Sequence, residues 1–161
     1  MKATVLIDNI SHSNLKKQWG LSFYIEQDTK SILLDTGSGD SFLKNAEALN
    51  IDLSKTDFAV LSHAHYDHSD GMDAFFSVNE SAKFYLSDKC EENCYGKRWI
   101  FSKYIGIKKG IMKKYSNRIC FVDGFKEISD GIFSCSPSYR RTGKARQTDR
   151  HIHKEKQKAC P

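Results

Sequence analysis

Three histidines and an aspartate fall within six residues, His63-Ala64-His65-Tyr66-Asp67-His68. Packing alone does not explain such a cluster, because each group costs desolvation if buried and protonated imidazoles this close repel one another. A divalent cation removes both difficulties. In an extended segment His63 and His65 project to the same side and can share one ion, while a turn after Tyr66 carries Asp67 and His68 toward a second position. Two neighbouring ions can hold a hydroxide at neutral pH and polarise a carbonyl or phosphoryl oxygen, which is metal-assisted hydrolysis. Imidazole and carboxylate donors suit Zn²⁺, and also Fe or Mn. The cofactor expectation is therefore two divalent ions, zinc first.

The elements that must position this cluster are legible upstream of it. Asp57–Ser62 reads as a buried strand that ends at the histidines, and a helix is expected after Asp70-Gly71, running through Phe75 and Phe76. Thr4–Ile7, Leu21–Ile25 and Ser31–Asp35 have β patterns, with Gln27–Lys30 a hairpin turn between the last two. Asp35-Thr36-Gly37-Ser38-Gly39-Asp40 breaks the sheet, and Ser41–Asn50 places Phe42, Ala46 and Leu49 at helical spacing. Lys83–Leu86, Ile119–Val122 and Gly131–Cys135 read as further strands, and Glu91–Ser116 as irregular or helical.

His63-x-His65-x-Asp67-His68 after a hydrophobic strand resembles the signature of the metallo-β-lactamase superfamily, and Leu33-Leu34-Asp35-Thr36-Gly37 resembles its first motif. Leu6-Ile7-Asp8-Asn9, Trp19-Gly20-Leu21-Ser22-Phe23, Phe42-x-x-Asn45-Ala46 and Leu61–His68 are similar to its dihydropterin-aminobenzene-phosphate synthase-like branch, with Asp70 a departure where that branch commonly has glycine. The resemblance covers about residues 1–135. It implies an α+β (α/β) fold, an αββα sandwich of which only the N-terminal αβ half is encoded. It also implies metal-dependent hydrolysis by a metal-bound hydroxide, or transfer in the pterin-synthase-like branch. By the same resemblance His63 and His65 bind the first metal and Asp67 and His68 the second. Asp67 also lies near the attacking water as the catalytic group, and Asp35 supports the ligand loop from behind. The family's remaining histidine, bridging aspartate and last histidine match no segment here, so four of the usual seven ligands are present.

Composition bounds the alternatives. The 161 residues, 39% apolar and 12% aromatic, suffice for a core. No apolar run reaches the roughly 20 residues of a membrane span, and without a signal-peptide layout a cytoplasmic location and reduced thiols at Cys90, Cys94, Cys120, Cys135 and Cys160 are expected. The net charge of +5 belongs to the end of the chain: from Ser136 onward eight Lys/Arg face two Asp/Glu, so residues 1–135 are close to neutral. Residues 136–161 read as a disordered basic tail, with His151 and His153 part of a solvated charge run.

Nucleic acid is accordingly not the expected partner. The interleaved bases and aromatics of Lys97–Tyr104 fit a partly buried amphipathic segment better than a single-strand surface. They equally suit the border of a substrate mouth, where cations would favour a phosphorylated small molecule. No Walker-type phosphate loop or Ser/Cys nucleophile motif competes with the metal reading. A truncated chain would leave a sheet face uncovered, inviting self-association or a complementing chain. An inactive remnant or non-enzymatic metal-binding module is the alternative to a hydrolase.

Overall fold

A computed structural model describes residues 1–11, 14–98 and 101–135; the expected basic tail, with His151 and His153, lies outside them, as do His12 and Trp99. The chain divides into two compact units, Met1–Phe121 and Val122–Pro161. The first carries β1 (Lys2–Ile7), β2 (Ser22–Gln27), β3 (Lys30–Leu34), α1 (Ser41–Ala48), β4 (Phe58–Val60), α2 (Tyr66–Ser69), α3 (Met72–Val78), β5 (Lys83–Ser87), β6 (Tyr95–Arg98), β7 (Phe101–Tyr104) and α4 (Ile111–Lys114). After β8 (Ile119–Val122), the second contains an antiparallel hairpin of β9 (Phe125–Ser129) and β10 (Ile132–Cys135).

One six-stranded sheet, ordered β1-β2-β3-β4-β5-β8, organises the first unit. Its β1-β2 and β2-β3 pairs are antiparallel, and its β3-β4 and β4-β5 pairs are parallel. The hairpin between β2 and β3 turns at Asp28, which takes the left-handed φ of 53° that a tight turn asks of an Asp or Asn. Register aligns Tyr24, Leu33, Ala59 and Phe84 in one row across four strands, all buried. Period-two alternation puts that row on one face, where it joins a single cluster with Phe42 and Ala46 of α1 and Met72, Phe75 and Phe76 of α3. The rings of Phe75 and Phe76 lie 5.9 and 5.7 Å from that of Phe84. This is the mixed α/β architecture expected, a sheet with its helices.

Two expectations need correction, and one strand was missed. Glu91–Ser116 is not merely irregular or helical: it holds the β6–β7 hairpin and the short α4. Lysines at Lys97 and Lys103 hid its alternation, because charged residues on an exposed hairpin lower the apolar signal by which strands are recognised. Strand β9 was also invisible to pattern, since Phe125–Ser129 is largely exposed. Of the cysteines, Cys90 and Cys94 are free, but Cys120 is disulfide-bonded, so the expectation of reduced thiols fails there. Among the described residues no helix is long and apolar enough to cross a membrane.

Candidate metal centre

Parallel pairing of β3 with β4 brings the carboxyl ends of both strands to one edge, the place where open α/β sheets build their sites. Leu34 pairs with Val60, and the next residue, Asp35, donates its backbone N–H to the Val60 carbonyl at 3.0 Å. Asp35 takes a left-handed φ of 59°, which turns its side chain back over the end of β4. There its buried carboxylate accepts three hydrogen bonds. Ser62 N–H reaches Oδ1 at 2.7 Å, Ser62 Oγ reaches Oδ2 at 2.6 Å, and His68 Nδ1 lies 2.8 Å from Oδ2.

That carboxylate fixes more than position. Because Oδ2 only accepts, His68 must place its proton on Nδ1, which leaves Nε2 with a lone pair. Ser62 spends its hydroxyl proton on Oδ2, so its oxygen is free to accept from His63 Nδ1 at 3.0 Å. His63 is thereby also protonated on Nδ1 and bare at Nε2. One buried aspartate sets the tautomer of two imidazoles, directly for His68 and through a serine for His63.

The loop itself is a bend and not the extended segment expected, since β4 stops at Val60. His65 N–H donates to the His63 carbonyl at 3.0 Å, and this tight turn, rather than strand alternation, brings the two rings together with centroids 4.6 Å apart. His63 Nε2 and His65 Nδ1 are 3.1 Å apart. The His68 ring lies 4.1 Å from that of His63, and its Nε2 is 3.8 Å from Asp67 Oδ2. All four expected donors, with Asp35 behind them, are therefore gathered at one place.

Neighbouring backbone locks the loop. The His68 carbonyl accepts from both Thr36 N–H and Thr36 Oγ1, at 2.8 and 3.0 Å, and Ser69 Oγ donates to the His65 carbonyl at 2.8 Å. Gly20, at φ +114°, sits so close that a Cβ would lie 1.7 Å from the Asp67 carbonyl oxygen. Burial, then the charges His68 and His65 would carry, pushes His63 below the ordinary imidazole value, against the pull of Asp35 and Asp67. A neutral His63 is what ligation needs. Burial pushes the Asp70 carboxyl up, with Lys108 opposing and Asp67 adding to the rise.

The donor set can be tested against a metal by its spacing. Two nitrogens bound to one tetrahedral Zn²⁺ at about 2.0–2.1 Å stand roughly 3.3 Å apart, and the His63–His65 pair stands at 3.1 Å. Among the described residues no group of three or more His, Cys, Asp or Glu closes around one point as a finished cage. His63 and His65 instead satisfy one another, while His68 Nε2 and Asp67 Oδ2 stand 3.8 Å apart. Chemistry and spacing fit a divalent ion, and the four donors are fewer than two ions require.

Sequence reasoning missed Ser62 and Thr36 as working parts, although both lie inside the quoted motifs. Nothing in residue type alone distinguishes a serine that relays a tautomer from one that faces solvent.

A mixed sheet whose parallel strands end at a histidine-aspartate loop backed by a buried carboxylate defines a metallohydrolase-type scaffold. The comparisons sharpen that class. The family model of the metallo-beta-lactamase superfamily matches residues 20–133, and the chain belongs to that superfamily. The solved structure of Tm1679, described as a metal-dependent hydrolase of the beta-lactamase superfamily, superposes with a TM-score of 0.67 at 28% identity, covering 84% of this chain and 47% of that one. The uncharacterised protein MJ0448 of Methanocaldococcus jannaschii is 26% identical over 172 residues, 86% of this chain and 67% of its own length. From the same organism, 7,8-dihydropterin-6-methyl-4-(beta-D-ribofuranosyl)-aminobenzene-5'-phosphate synthase is 42% identical over 60 residues, 34% of this chain and 20% of its length. The chain thus spans about half of the Tm1679 chain and two thirds of MJ0448.

Proposed function

We propose that this chain provides the ligand loop of a metal-dependent hydrolase, with His63, His65, Asp67 and His68 as donors and Asp35 as the group that holds them ready. The observation that carries the reading is the Asp35 hydrogen-bond set, which leaves Nε2 of both His63 and His68 unprotonated. A surface histidine cluster has no need of a buried carboxylate that fixes two tautomers. Divalent ions held there, zinc by donor chemistry, would acidify a water into a nucleophile and polarise the substrate oxygen. His63 and His65 hold the first position, and Asp67 and His68 the second. Asp67, beside His68 Nε2, orients the attacking water and takes up its proton. Asp35 and Ser62 keep both rings in the ligating tautomer throughout.

Support for hydrolysis comes from the superfamily and from Tm1679's description, while the short match to the pterin synthase favours transfer as a second reading. Two ions want more donors than these four, so a complementing chain or a second copy completes the centre in this proposal. The rival is a metal-binding module without turnover. Elemental analysis of the purified chain beside a His63→Ala/His65→Ala variant, with a phosphodiester and a thioester assayed on the same samples, tests the reading. Metal uptake and turnover that both disappear in the variant are expected. Metal content equal in the two proteins overturns it.

A further inference from the structure

A second feature adjoins the loop and is not used by the ligands. A cavity of about 350 Å³ is lined by Tyr66 and Asp70 from the metal-loop side, Lys103 and Tyr104 from β7, and Lys108 and Lys109 beyond it. The two sides are tied by backbone, Tyr66 N–H donating to the Ile105 carbonyl at 2.9 Å. Tyr66 stands between His65 and Asp67 in the chain, and the Asp70 carboxyl on the same side is near enough to that of Asp67 for the two to repel.

The charge of this cavity is unbalanced. Three lysines and one carboxylate, Asp70, line it, and Glu92 lies near enough to act on Tyr104 from beside it. Lys109 lies over the Tyr104 ring with its Nζ 5.1 Å from the centroid, a contact that holds the cation at the rim without neutralising it. The net positive lining suits a phosphate monoester, which carries about −1.5 to −2 at neutral pH. The volume is at the low end for small-molecule sites, enough for a ring and its phosphate. Tyr66 and Tyr104 supply aromatic faces for such a ring.

We propose that this cavity binds the phosphate end of a small phosphomonoester substrate whose reacting bond lies at the His63–His68 loop. The inference rests on the metal-centre reading for what happens at that bond, but anion binding is measured without metal.

The full chain, stripped of metal and dialysed free of chelator, is titrated with phenyl phosphate and with phenol by calorimetry. Phenyl phosphate binds and phenol does not. Lys103→Gln/Lys108→Gln/Lys109→Gln, at exposed lysines and so expected to fold, weakens phenyl phosphate by about tenfold, which is ~1.4 kcal/mol. Replacement of the same three by arginine restores binding. His63→Ala/His65→Ala retains it, and an unmodified chain that binds phenyl phosphate but takes up no metal fails only the hydrolase reading. Metal uptake with no phenyl phosphate binding, or equal binding in the glutamine variant, overturns the pocket. So does an oligodeoxythymidine that binds more tightly than phenyl phosphate with a steep salt dependence, which would make the lysines a nucleic-acid surface.

Discussion

Replacing Asp35 by asparagine removes one charge and almost no volume, yet it should disable the proposed metal site. In the native loop Oδ2 accepts from Ser62 Oγ and from His68 Nδ1, and Oδ1 accepts from Ser62 N–H. An asparagine can keep one acceptor, and the Ser62 amide, which cannot rotate its proton away, claims it. The NH₂ then points at Ser62 Oγ and His68 Nδ1 as a donor. Ser62 responds by donating to His63 Nδ1, and His68 by accepting at Nδ1. Both imidazole protons move to Nε2, where the lone pairs were. Every hydrogen bond can therefore be remade, and the cost to folding is the loss of charge assistance, about 1–3 kcal/mol. Metal affinity should fall by roughly 10–100-fold, the usual effect of losing the partner behind a ligating histidine. Long-range ¹H–¹⁵N correlation spectra of the metal-free protein report the two tautomers, and competition with a chromophoric chelator reports zinc affinity. His63 and His68 still protonated on Nδ1 in the variant, or zinc bound within twofold of native, would refute the tautomer argument.

Three other perturbations follow from the same geometry. Gly20→Ala places a methyl 1.7 Å from the Asp67 carbonyl oxygen at a φ of +114°, so the loop must move; a stability loss of about 3 kcal/mol together with weaker metal uptake is expected from urea denaturation and chelator competition. Buried Asn79 donates from Nδ2 to the carbonyls of Leu53, Ser54 and Thr56, and its Oδ1 accepts from the amides of Ser81 and Ala82 and from Arg118. Asn79→Ala should cost roughly 3 kcal/mol in the same assay while metal affinity in the folded protein is unchanged. Asp73 is held below the usual carboxylate range by hydrogen bonds from Lys114 and Tyr115, and Lys114 is raised to about 12, chiefly by its bond to Asp73. Asp73→Asn should therefore lower the melting temperature slightly between about pH 4 and pH 10. The difference shrinks as acid protonates Asp73 below its ordinary value of 3.8 and as alkali discharges Lys114 above 10.5; a difference that persists unchanged at pH 2.5 contradicts the pairing.

Much of this was readable from sequence because core strands and helices advertise themselves by period. Tyr24, Leu33, Ala59 and Phe84 fall in short apolar runs, and Phe42 with Ala46 is a helical i, i+4 pair. The four candidate donors stood out by type and spacing and Asp35 by the resemblance of its motif, and the structure brings these side chains together. What sequence did not reveal was conformational. That His63 and His65 meet through a bend depends on one backbone hydrogen bond, and that Ser62 links Asp35 to His63 depends on the register of β3 against β4. Neither leaves a pattern in residue type. The β6–β7 hairpin escaped for a different reason: β7, exposed and lysine-bearing, buries too little to show a period.

The topology explains why so short a loop can be so constrained. Parallel β3 and β4 end together, which sets Asp35 against Ser62; antiparallel β2 starts at that same edge, and Ser22 Oγ donates to the Asp35 carbonyl at 2.9 Å while Gly20 abuts Asp67. β5 runs parallel to β4, and Leu61 N–H donates to the Tyr85 carbonyl at 2.9 Å, fastening the residue before the motif. Three strands thus hold the loop from three sides before any ligand arrives. Ordering donors in advance spares the binding step the entropy of gathering them, about 1–2 kcal/mol per backbone residue fixed. A loop left to fold around its ion would show its cost as weak, slow uptake; here the cost falls on folding, so substitutions at Asp35 and Gly20 should reduce stability and metal affinity together, whereas Asn79→Ala separates the two.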